Sequence, residues 1–180
     1  MIDMDEETLI AQMKCGNQHA FAQIYDKYKA SVYRTACLIS GNPTDGEDIM
    51  QETFIKVFVH CKELRSNHLF HYWLFKILNR TAWQLLHDKK TEFPDESVSD
   101  KADIGSEFLT EDTLLQKEQH NELYQAVMQL DYKLRIVVVL YYYNEISTKQ
   151  IASIVGCHEG TIKSRLFTAR KRLKQLLSKV

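Results

Sequence analysis

The feature that most constrains the fold is the spacing of apolar residues near the C-terminus. They follow one another at intervals of four, three, four and three residues: Ile162, Leu166, Ala169, Leu173 and Leu176. At about 100° per residue, this spacing aligns all five side chains along one stripe of an α-helix. The opposite side of that helix carries Gly160, Ser164, Phe167, Thr168 and Lys171. The pattern therefore predicts a helix with one dry face and one polar face.

Helical periodicity extends over most of the chain. It recurs over residues 17–40, 44–62, 68–90, 113–130 and 131–143. The 180 residues include only two prolines and six glycines, which is few turn formers for a sheet protein. These observations predict an all-α fold.

A helix-turn-helix is predicted next to the C-terminal helix. Ser147 and Gln150 have the spacing of a capping box, which starts a short helix that ends at Gly156. The next helix begins near Glu159. A short helix, a turn containing glycine and a longer basic helix form the arrangement that places a helix in the major groove of DNA.

Charge is distributed unevenly along a chain whose formal net charge is −1. Residues 91–112 hold eight acidic residues and one basic residue, whereas residues 147–180 hold one acidic and eight basic residues. The acidic segment has little periodicity and contains Pro94 and Gly105, which is typical of a flexible linker. We therefore expect two small helical domains, 1–92 and 113–180, joined by a flexible acidic linker at 93–112.

The basic segment permits two interpretations, a polyanion partner or a solvated helix face, and composition alone does not separate them. The sequence of the last helix favours DNA, because Glu159 is its only acidic residue and a solvated helix usually mixes in more glutamate. Lys163 and Arg165 lie on opposite flanks of its polar face, where they suit the two phosphate walls of a groove.

The helix over residues 44–62 is predicted to start with a capping box at Thr44 and Glu47. The side facing away from its apolar residues carries Asp48, Gln51, Glu52, Ile55 and Val59. Aliphatic side chains among carboxylates can serve as anchors for a protein partner. The alternative is that both aliphatic residues pack on another helix of the same chain, and the pattern alone favours that alternative.

The helix over residues 68–90 has a face on which aromatic and basic side chains alternate. That face carries Tyr72, Trp73, Lys76, Asn79, Arg80, Trp83 and His87. Such residues can stack unpaired bases and hold a phosphate backbone. An aromatic core helix with basic ends explains the pattern equally well. A polar loop containing Arg65 and Asn67 precedes this helix.

Other classes of function are disfavoured. The four cysteines are scattered, and His60, Cys61, His68 and His71 do not have the spacing of a zinc site. We find no nucleophile with a base and no phosphate loop, so we expect neither an enzyme nor a cofactor. The acidic N-terminus lacks signal-peptide features, and no apolar run reaches the roughly 18 residues of a membrane span, so we expect a cytoplasmic protein without membrane insertion.

Four stretches together resemble the extracytoplasmic-function (ECF) sigma factors, which are small bacterial RNA polymerase subunits. They are AFAQIYDKY, DGEDIMQETFIKVF, WLFKILNRTAWQLL and GTIKSRLFTARKRL. The resemblance covers nearly the whole chain except the linker. It implies a region 2 helical bundle at 1–92 and a region 4 helix-turn-helix at 113–180. The implied function is promoter-specific transcription initiation, for a stress or cell-envelope regulon.

The resemblance also implies partners and contact residues. The residues expected on the polymerase β′ clamp are Asp45, Glu47, Asp48, Gln51, Glu52 and Ile55. Those expected on minus-ten DNA are Arg65, Asn67, Tyr72, Trp73, Lys76, Asn79, Arg80 and Trp83. Those expected on minus-thirty-five DNA are Thr148, Gly160, Thr161, Lys163, Ser164, Arg165, Phe167, Thr168 and Lys171. The β flap and an anti-sigma factor, often membrane-bound, are further expected partners.

Several positions depart from the family pattern. Asn79-Arg80 stands where many members have Arg-Asn, and Thr168 replaces a common arginine, the usual bidentate reader of guanine. Lys149-Gln150 replaces an acidic pair, and Asp131 replaces a proline. Two rival functions are an ordinary helix-turn-helix regulator that needs no polymerase and a helical adaptor that never touches DNA. The basic helix disfavours the adaptor, and the Asp48 face disfavours the regulator.

Overall fold

A computed structural model describes residues 5–92 and 114–178, and within these ranges the regular elements are helical. The helices are α1 Glu6–Lys14, α2 Gln18–Ser40, α3 Pro43–His60, α4 Phe70–Glu92, α5 Leu114–Met128, α6 Tyr132–Val138, α7 Thr148–Val155 and α8 Glu159–Leu177. Short 3₁₀ turns at Cys61–Glu63 and Asn67–Leu69 connect α3 to α4, and a π-helical turn at Val139–Tyr143 extends α6. The predicted all-α fold is confirmed. The predicted linker lies outside the described residues.

The boundary between α2 and α3 shows how local sequence ends one helix and starts the next. Gly41 adopts a left-handed φ of 79°, which glycine tolerates without a Cβ penalty, and closes α2. Asn42 then caps α3 by accepting hydrogen bonds from the Thr44 and Asp45 amides, and Pro43 occupies the first helical position. The predicted capping box at Thr44 and Glu47 was therefore wrong, because the Asn-Pro pair starts the helix earlier.

The N-terminal half is a bundle in which α1, α3 and α4 pack against α2. Its core is aliphatic and aromatic, and Ile24, Ile49 and Phe70 are fully buried. Gly46 permits the close approach of α3 to α2, because a Cβ there would lie 2.3 Å from the Cys37 sulfur.

The C-terminal half contains the predicted helix-turn-helix. Ser147 and Gln150 form the capping box of α7, and Gly156 ends α7 with a φ of 77°. Within α8 the predicted stripe is confirmed: Ile162, Leu166 and Ala169 are buried, and Leu173 and Leu176 are half-buried. The stripe packs on α6 and α7, which fixes the outward direction of the polar face of α8.

The two halves also contact each other. Residues from α1 to α4 and from α6 to α8 share one continuous hydrophobic core. The Arg135 Nη1 atom donates to the Ile39 carbonyl oxygen at 3.0 Å, which places a cation at the C-terminal end of α2. The Asn144 side chain donates to the Thr35 hydroxyl at 2.9 Å. Through these polar contacts and the shared core, α6 packs against α2 and α7 packs against α4.

Candidate protein and nucleic-acid interfaces

The outward face of α3 combines exposed aliphatic side chains with carboxylates. Ile55 is 57% exposed and Val59 is 64% exposed, so the alternative that they pack on another helix was wrong for the part of the chain that the structure describes. Asp48 and Gln51 are exposed beside them. Exposed branched side chains flanked by charges can anchor a protein partner and set its orientation.

Phe58 belongs to the same surface, although the sequence analysis missed it. Its ring is 49% exposed and meets Phe21 edge-on, with ring centroids 5.1 Å apart. The spacing of Ile55, Phe58 and Val59 at i, i+3 and i+4 was the available signal, since residues at these intervals share one side of a helix. We call these three residues the α3 apolar patch.

The remaining predicted polymerase contacts lie around this patch and differ in how exposed they are and in whether another side chain holds them. Glu47 is exposed, and Asp45 is half-buried near the start of α3. Glu52 pairs with Lys56 at 3.3 Å, and the Lys56 ammonium also donates to the Thr81 hydroxyl of α4. Glu52 is therefore tied through Lys56 to the bundle, whereas the Asp48 side chain is exposed to solvent.

The predicted minus-ten face of α4 is divided by the contact between the two halves. Trp83 is 55% exposed and lies beside His87, with ring centroids 5.0 Å apart, and Arg80 is exposed. Tyr72, Trp73 and Lys76 are half-buried. Among the predicted residues on this face of α4, Arg80 and Trp83 are exposed in this arrangement.

Asn79, on α4, is buried where this helix packs against the C-terminal half. The Tyr132 hydroxyl donates to its side-chain oxygen at 3.2 Å, and its amide nitrogen lies 3.5 Å from the Ile154 carbonyl oxygen. Burial raises the pKa of Tyr132, so this hydroxyl remains a donor at neutral pH. In this arrangement the Asn79 side chain holds the two halves together and does not face solvent.

A cavity of about 530 Å³ lies beside this contact. Arg80 and Trp83 line it from α4, Lys133 from α6 and Arg165 from α8. Arg165, predicted to flank the recognition face, is half-buried and lines this cavity. The cavity therefore brings together cations that the sequence analysis assigned to two different promoter elements.

The polar loop before α4 places its two predicted residues differently. Arg65 is exposed. The Asn67 side chain donates to the Glu7 carbonyl oxygen at 3.0 Å and accepts from the Lys14 ammonium at 3.3 Å. Both partners belong to α1, a helix that the sequence analysis did not predict.

The outward face of α8 has the opposite chemistry to that of α3. Phe167 is 71% exposed, and Gly160, Ser164 and Lys171 are exposed with it. The half-buried Thr168 turns its hydroxyl back to the Ser164 carbonyl oxygen at 3.0 Å, which is a common helix back-bond. The hydroxyl of Thr168 is thus engaged within the helix.

Polar contacts join the start of α8 to α7. The Thr148 hydroxyl donates to the Glu159 carboxylate at 2.8 Å, and the Lys163 ammonium pairs with the same carboxylate at 2.9 Å. The hydrogen bonds from Lys163 and Thr148 hold the pKa of Glu159 below its usual value. Two predicted minus-thirty-five residues therefore share one carboxylate, while Thr161 lies half-buried in the first turn of α8.

Further along α8, two arginines have fixed partners. Arg170 donates to the Tyr142 hydroxyl at 2.6 Å and lies over the Tyr141 ring. Arg172 pairs with Asp131 at 2.9 Å, and Asp131 also caps α6 through the Leu134 amide. Asp131 therefore both starts α6 and orients a cation on α8.

Comparisons with known proteins agree with this architecture. The family model described as sigma-70 region 2 matches residues 24–91, and the one described as sigma-70, region 4 matches residues 120–173. The ECF RNA polymerase sigma factor SigW of Bacillus subtilis (strain 168) is 32% identical over 180 residues, covering 93% of this chain and 94% of that protein. The ECF RNA polymerase sigma-E factor of Haemophilus influenzae is 26% identical, covering 95% and 94%.

The chain belongs to the sigma-70 family, among its ECF RNA polymerase sigma factors. Sigma factors are transcription-initiation factors, so membership implies binding to RNA polymerase and promoter DNA. A helix-turn-helix in region 4 is consistent with the DNA-binding part of that function.

Solved structures share the fold. CnrH in complex with the cytosolic domain of CnrY has a TM-score of 0.70 at 22% identity, covering 96% of this chain and 97% of that chain. The sigma factor RpoE in complex with the anti-sigma factor NepR from Bartonella quintana has a TM-score of 0.67 at 25% identity, covering 88% and 96%. Among the described residues of this protein, none of the helices combines the length and apolarity needed to span a membrane.

Proposed function

We propose that this sigma factor binds the β′ clamp of core RNA polymerase through the outward face of α3. The α3 apolar patch supplies non-directional burial, and Asp48, Gln51 and Glu47 at its edge orient the partner. Asp45 and Glu52 complete this surface. The domain that carries it spans residues 1–92, and a second domain at 113–180 also contacts the β flap.

The second domain binds the minus-thirty-five element as duplex DNA. Its α8 face enters the major groove, with Ser164, Phe167 and Thr168 toward base edges and Lys163 and Lys171 toward phosphates. Gly160, Thr161 and Thr148 lie at the start of α7 and α8, where amides approach the backbone of the DNA. Arg165 joins them when its side chain leaves the cavity that it lines together with Arg80 and Trp83.

The first domain captures minus-ten DNA in its unpaired form. Arg80 and Trp83 are the open part of the α4 face, and exposed tryptophan with arginine is suited to stacking an unpaired base beside a phosphate. Tyr72, Trp73 and Lys76 continue the face, and Arg65 and Asn67 supply the loop before it. Asn79 reaches DNA only when the contact with Tyr132 separates.

An anti-sigma factor, often membrane-bound in this family, controls access to these faces in the cytoplasm. Support comes from the relatives, because the solved RpoE structure is a complex with an anti-sigma factor. Tethering both DNA-binding domains to one polymerase raises their effective concentration, so modest affinities suffice. RNA synthesis belongs to the polymerase core, and this chain performs no covalent chemistry.

The observation that carries the proposal is the exposure of Ile55 and Val59 beside Asp48 on α3. The test is run-off transcription with bacterial core polymerase on the promoter upstream of the protein's own gene. Wild type is compared with Asp48→Arg and with the double variant Lys163→Ala/Lys171→Ala. We expect specific transcripts from wild type and their loss in both variants.

Asp26→Arg is the matched control, since it makes the same charge change at an exposed position of α2. Transcription by this control should stay near the wild-type level. Absence of any polymerase-dependent transcript, together with tight DNA binding by the chain alone, would overturn the proposal and favour an ordinary helix-turn-helix regulator.

A further inference from the structure

Helix α1 reaches the loop that connects α3 to α4. The Lys14 ammonium, on the last residue of α1, donates to the Leu64 carbonyl oxygen at 2.7 Å and to the Asn67 side-chain oxygen at 3.3 Å. The Asn67 amide nitrogen donates back to the Glu7 carbonyl oxygen of α1 at 3.0 Å. One helix therefore fixes the loop at two points, with Arg65 and Ser66 between them.

Helix α1 is itself firmly placed. Its apolar residues Leu9, Ile10 and Met13 are buried against the bundle. At its other end Glu6 pairs with Lys27 and accepts a hydrogen bond from the Tyr28 hydroxyl at 2.9 Å. Because α1 is anchored at both ends, its hydrogen bonds to the loop keep the loop backbone in a fixed position.

The loop is anchored by the bundle on both sides of this contact. Leu64 is 4% exposed and Phe70 is fully buried, so each end of the segment is fixed by apolar packing. Arg65 is exposed between Leu64 and the 3₁₀ turn that starts at Asn67. The exposed Arg65 side chain therefore projects from a two-residue stretch, Arg65-Ser66. The residues on either side of this stretch, Leu64 and Asn67, both accept hydrogen bonds from Lys14.

We propose that Lys14 is a positioning residue for minus-ten recognition, because it holds the loop backbone so that Arg65 is presented to the unpaired strand. Asn67 acts in the same way, through α1, and does not itself touch a base. A charge-assisted hydrogen bond to a backbone carbonyl is stronger than a neutral one. Fixing the loop before DNA arrives reduces the ordering cost of binding. This inference rests on the proposed minus-ten function of the first domain.

The experiment uses holoenzyme assembled from core polymerase and the full chain. The probe is a short fluorescein-labelled single strand with the non-template minus-ten sequence of a promoter mapped by run-off transcription. A scrambled strand of the same composition is the reference. Lys14→Met, which keeps the aliphatic stem but removes both hydrogen bonds, should weaken binding of the probe about tenfold. Lys14→Arg should recover most of the affinity, because a guanidinium can still reach carbonyl oxygens.

A structural defect is separated from positioning by two controls and a double-mutant cycle. Lys29→Met removes the same charge from an exposed position of α2 and should leave probe binding unchanged. Core affinity and the melting temperature should change little in Lys14→Met. In an Arg65→Ala background, Lys14→Met should have less than about a twofold effect, because the group it positions is gone. Asn67→Ala should cost about threefold, since Lys14 keeps its bond to Leu64.

Two outcomes overturn the inference. Either Lys14→Met leaves probe binding unchanged, or it lowers binding by the same factor with and without Arg65. In both cases wild type would still prefer the minus-ten strand to the scrambled strand, and the proposed function would stand. If wild-type holoenzyme shows no such preference, the minus-ten assignment itself fails and the role of Lys14 fails with it.

Discussion

Helices α3 and α8 are built on the same principle but present opposite surfaces. Each buries an apolar stripe, as the periodicity of its sequence predicts. The outward face of α3 then carries Ile55, Phe58 and Val59 among carboxylates, whereas that of α8 carries lysines and arginines around Phe167. The buried stripe determines the fold, and the opposite face determines the class of partner.

The two surfaces also differ in how their key groups are held. On α8, Lys163, Arg170 and Arg172 each have a polar partner within the chain, so their charges have preferred positions. Such contacts suit recognition of phosphates, whose geometry is directional. Hydrophobic burial is non-directional and proportional to area. The α3 apolar patch therefore needs no such network, only exposure on a rigid helix.

The largest expected effect is on α3. Ile55→Glu should lower the affinity for core polymerase by about 30-fold or more, because truncating or charging a central apolar anchor typically costs at least about 2 kcal/mol. The folded state should be unaffected, since Ile55 is 57% exposed. Binding of labelled sigma factor to core polymerase, followed by fluorescence, measures the change.

Leu123→Glu is the matched control, because Leu123 is a 45% exposed aliphatic residue on α5. Its affinity for core should remain within about twofold of wild type. If Ile55→Glu binds core as well as this control does, then the α3 apolar patch is not the polymerase surface. The contrast between a protein-binding face on α3 and a DNA-binding face on α8 would then fail.

The second expected effect is on α8. Lys171→Ala should weaken binding to a minus-thirty-five duplex about fivefold and lower the slope of log affinity against log salt by about one, because one phosphate contact is lost. Core affinity should stay unchanged. Fluorescence anisotropy at several salt concentrations measures both numbers, with Lys29→Ala as an equal loss of charge on α2. A weakened affinity with an unchanged salt slope would contradict a phosphate contact.

Much of this comparison was predictable because it depends on local sequence. The stripe of α8, the capping box at Ser147 and the stop at Gly156 are set by residues within a few positions of one another, and all three predictions are confirmed. The start of α3 was predicted wrongly although its signal is also local. The Asn42-Pro43 pair is a stronger start than Thr44 with Glu47, because proline has the backbone angle that the first helical position requires.

What the sequence could not decide is which faces the rest of the chain covers. Leu123, Val127 and Leu130 follow one another at helical spacing, yet Leu123 is exposed and the other two are buried. Asn79 shared a predicted open face with Trp83, but packing of α7 and Tyr132 buries it. Periodicity identifies a face of a helix, and only tertiary packing decides whether another element covers it.

Helix α1 was missed for a related reason. Its nine residues are too few to be stable alone, and its three buried side chains gain their energy from α2. The acidic residues Glu6 and Glu7 in its first turn and Lys14 in its last turn were the available signal, since they match the helix dipole. The loop contacts of Lys14 join residues 50 and 53 positions apart, which no local pattern reveals.

A smaller effect concerns the support beneath α8. Ser147→Ala removes the hydroxyl that caps α7 and should cost about 1 kcal/mol, which lowers the melting temperature by about 2–4 °C. Ser153→Ala is the control, because Ser153 is exposed within α7 and has no capping role. Thermal unfolding followed by circular dichroism measures both. Equal melting temperatures for the two variants would show that the capping box does not stabilise the helix-turn-helix.

The smallest expected effect tests whether the network on α8 restrains its charges. Glu159→Gln removes the carboxylate that Lys163 and Thr148 share, which frees the ammonium and removes a negative charge near the DNA. We expect about a twofold gain in affinity for the minus-thirty-five duplex, the small change that is typical of an exposed ion pair. Anisotropy at low salt measures it, with Glu122→Gln on α5 as an equal change of charge.

The pH dependence of that gain is also defined. Because hydrogen bonds from Lys163 and Thr148 lower the pKa of Glu159, the carboxyl is ionised throughout the neutral range and protonates only in acid. The gain should therefore be the same at about pH 6 and about pH 8, and it should disappear as the pH falls through that lowered pKa. A loss of affinity in Glu159→Gln would mean that the carboxylate orients Lys163 toward its phosphate. The network of α8 would then be part of its recognition surface, a feature that the α3 apolar patch does not need.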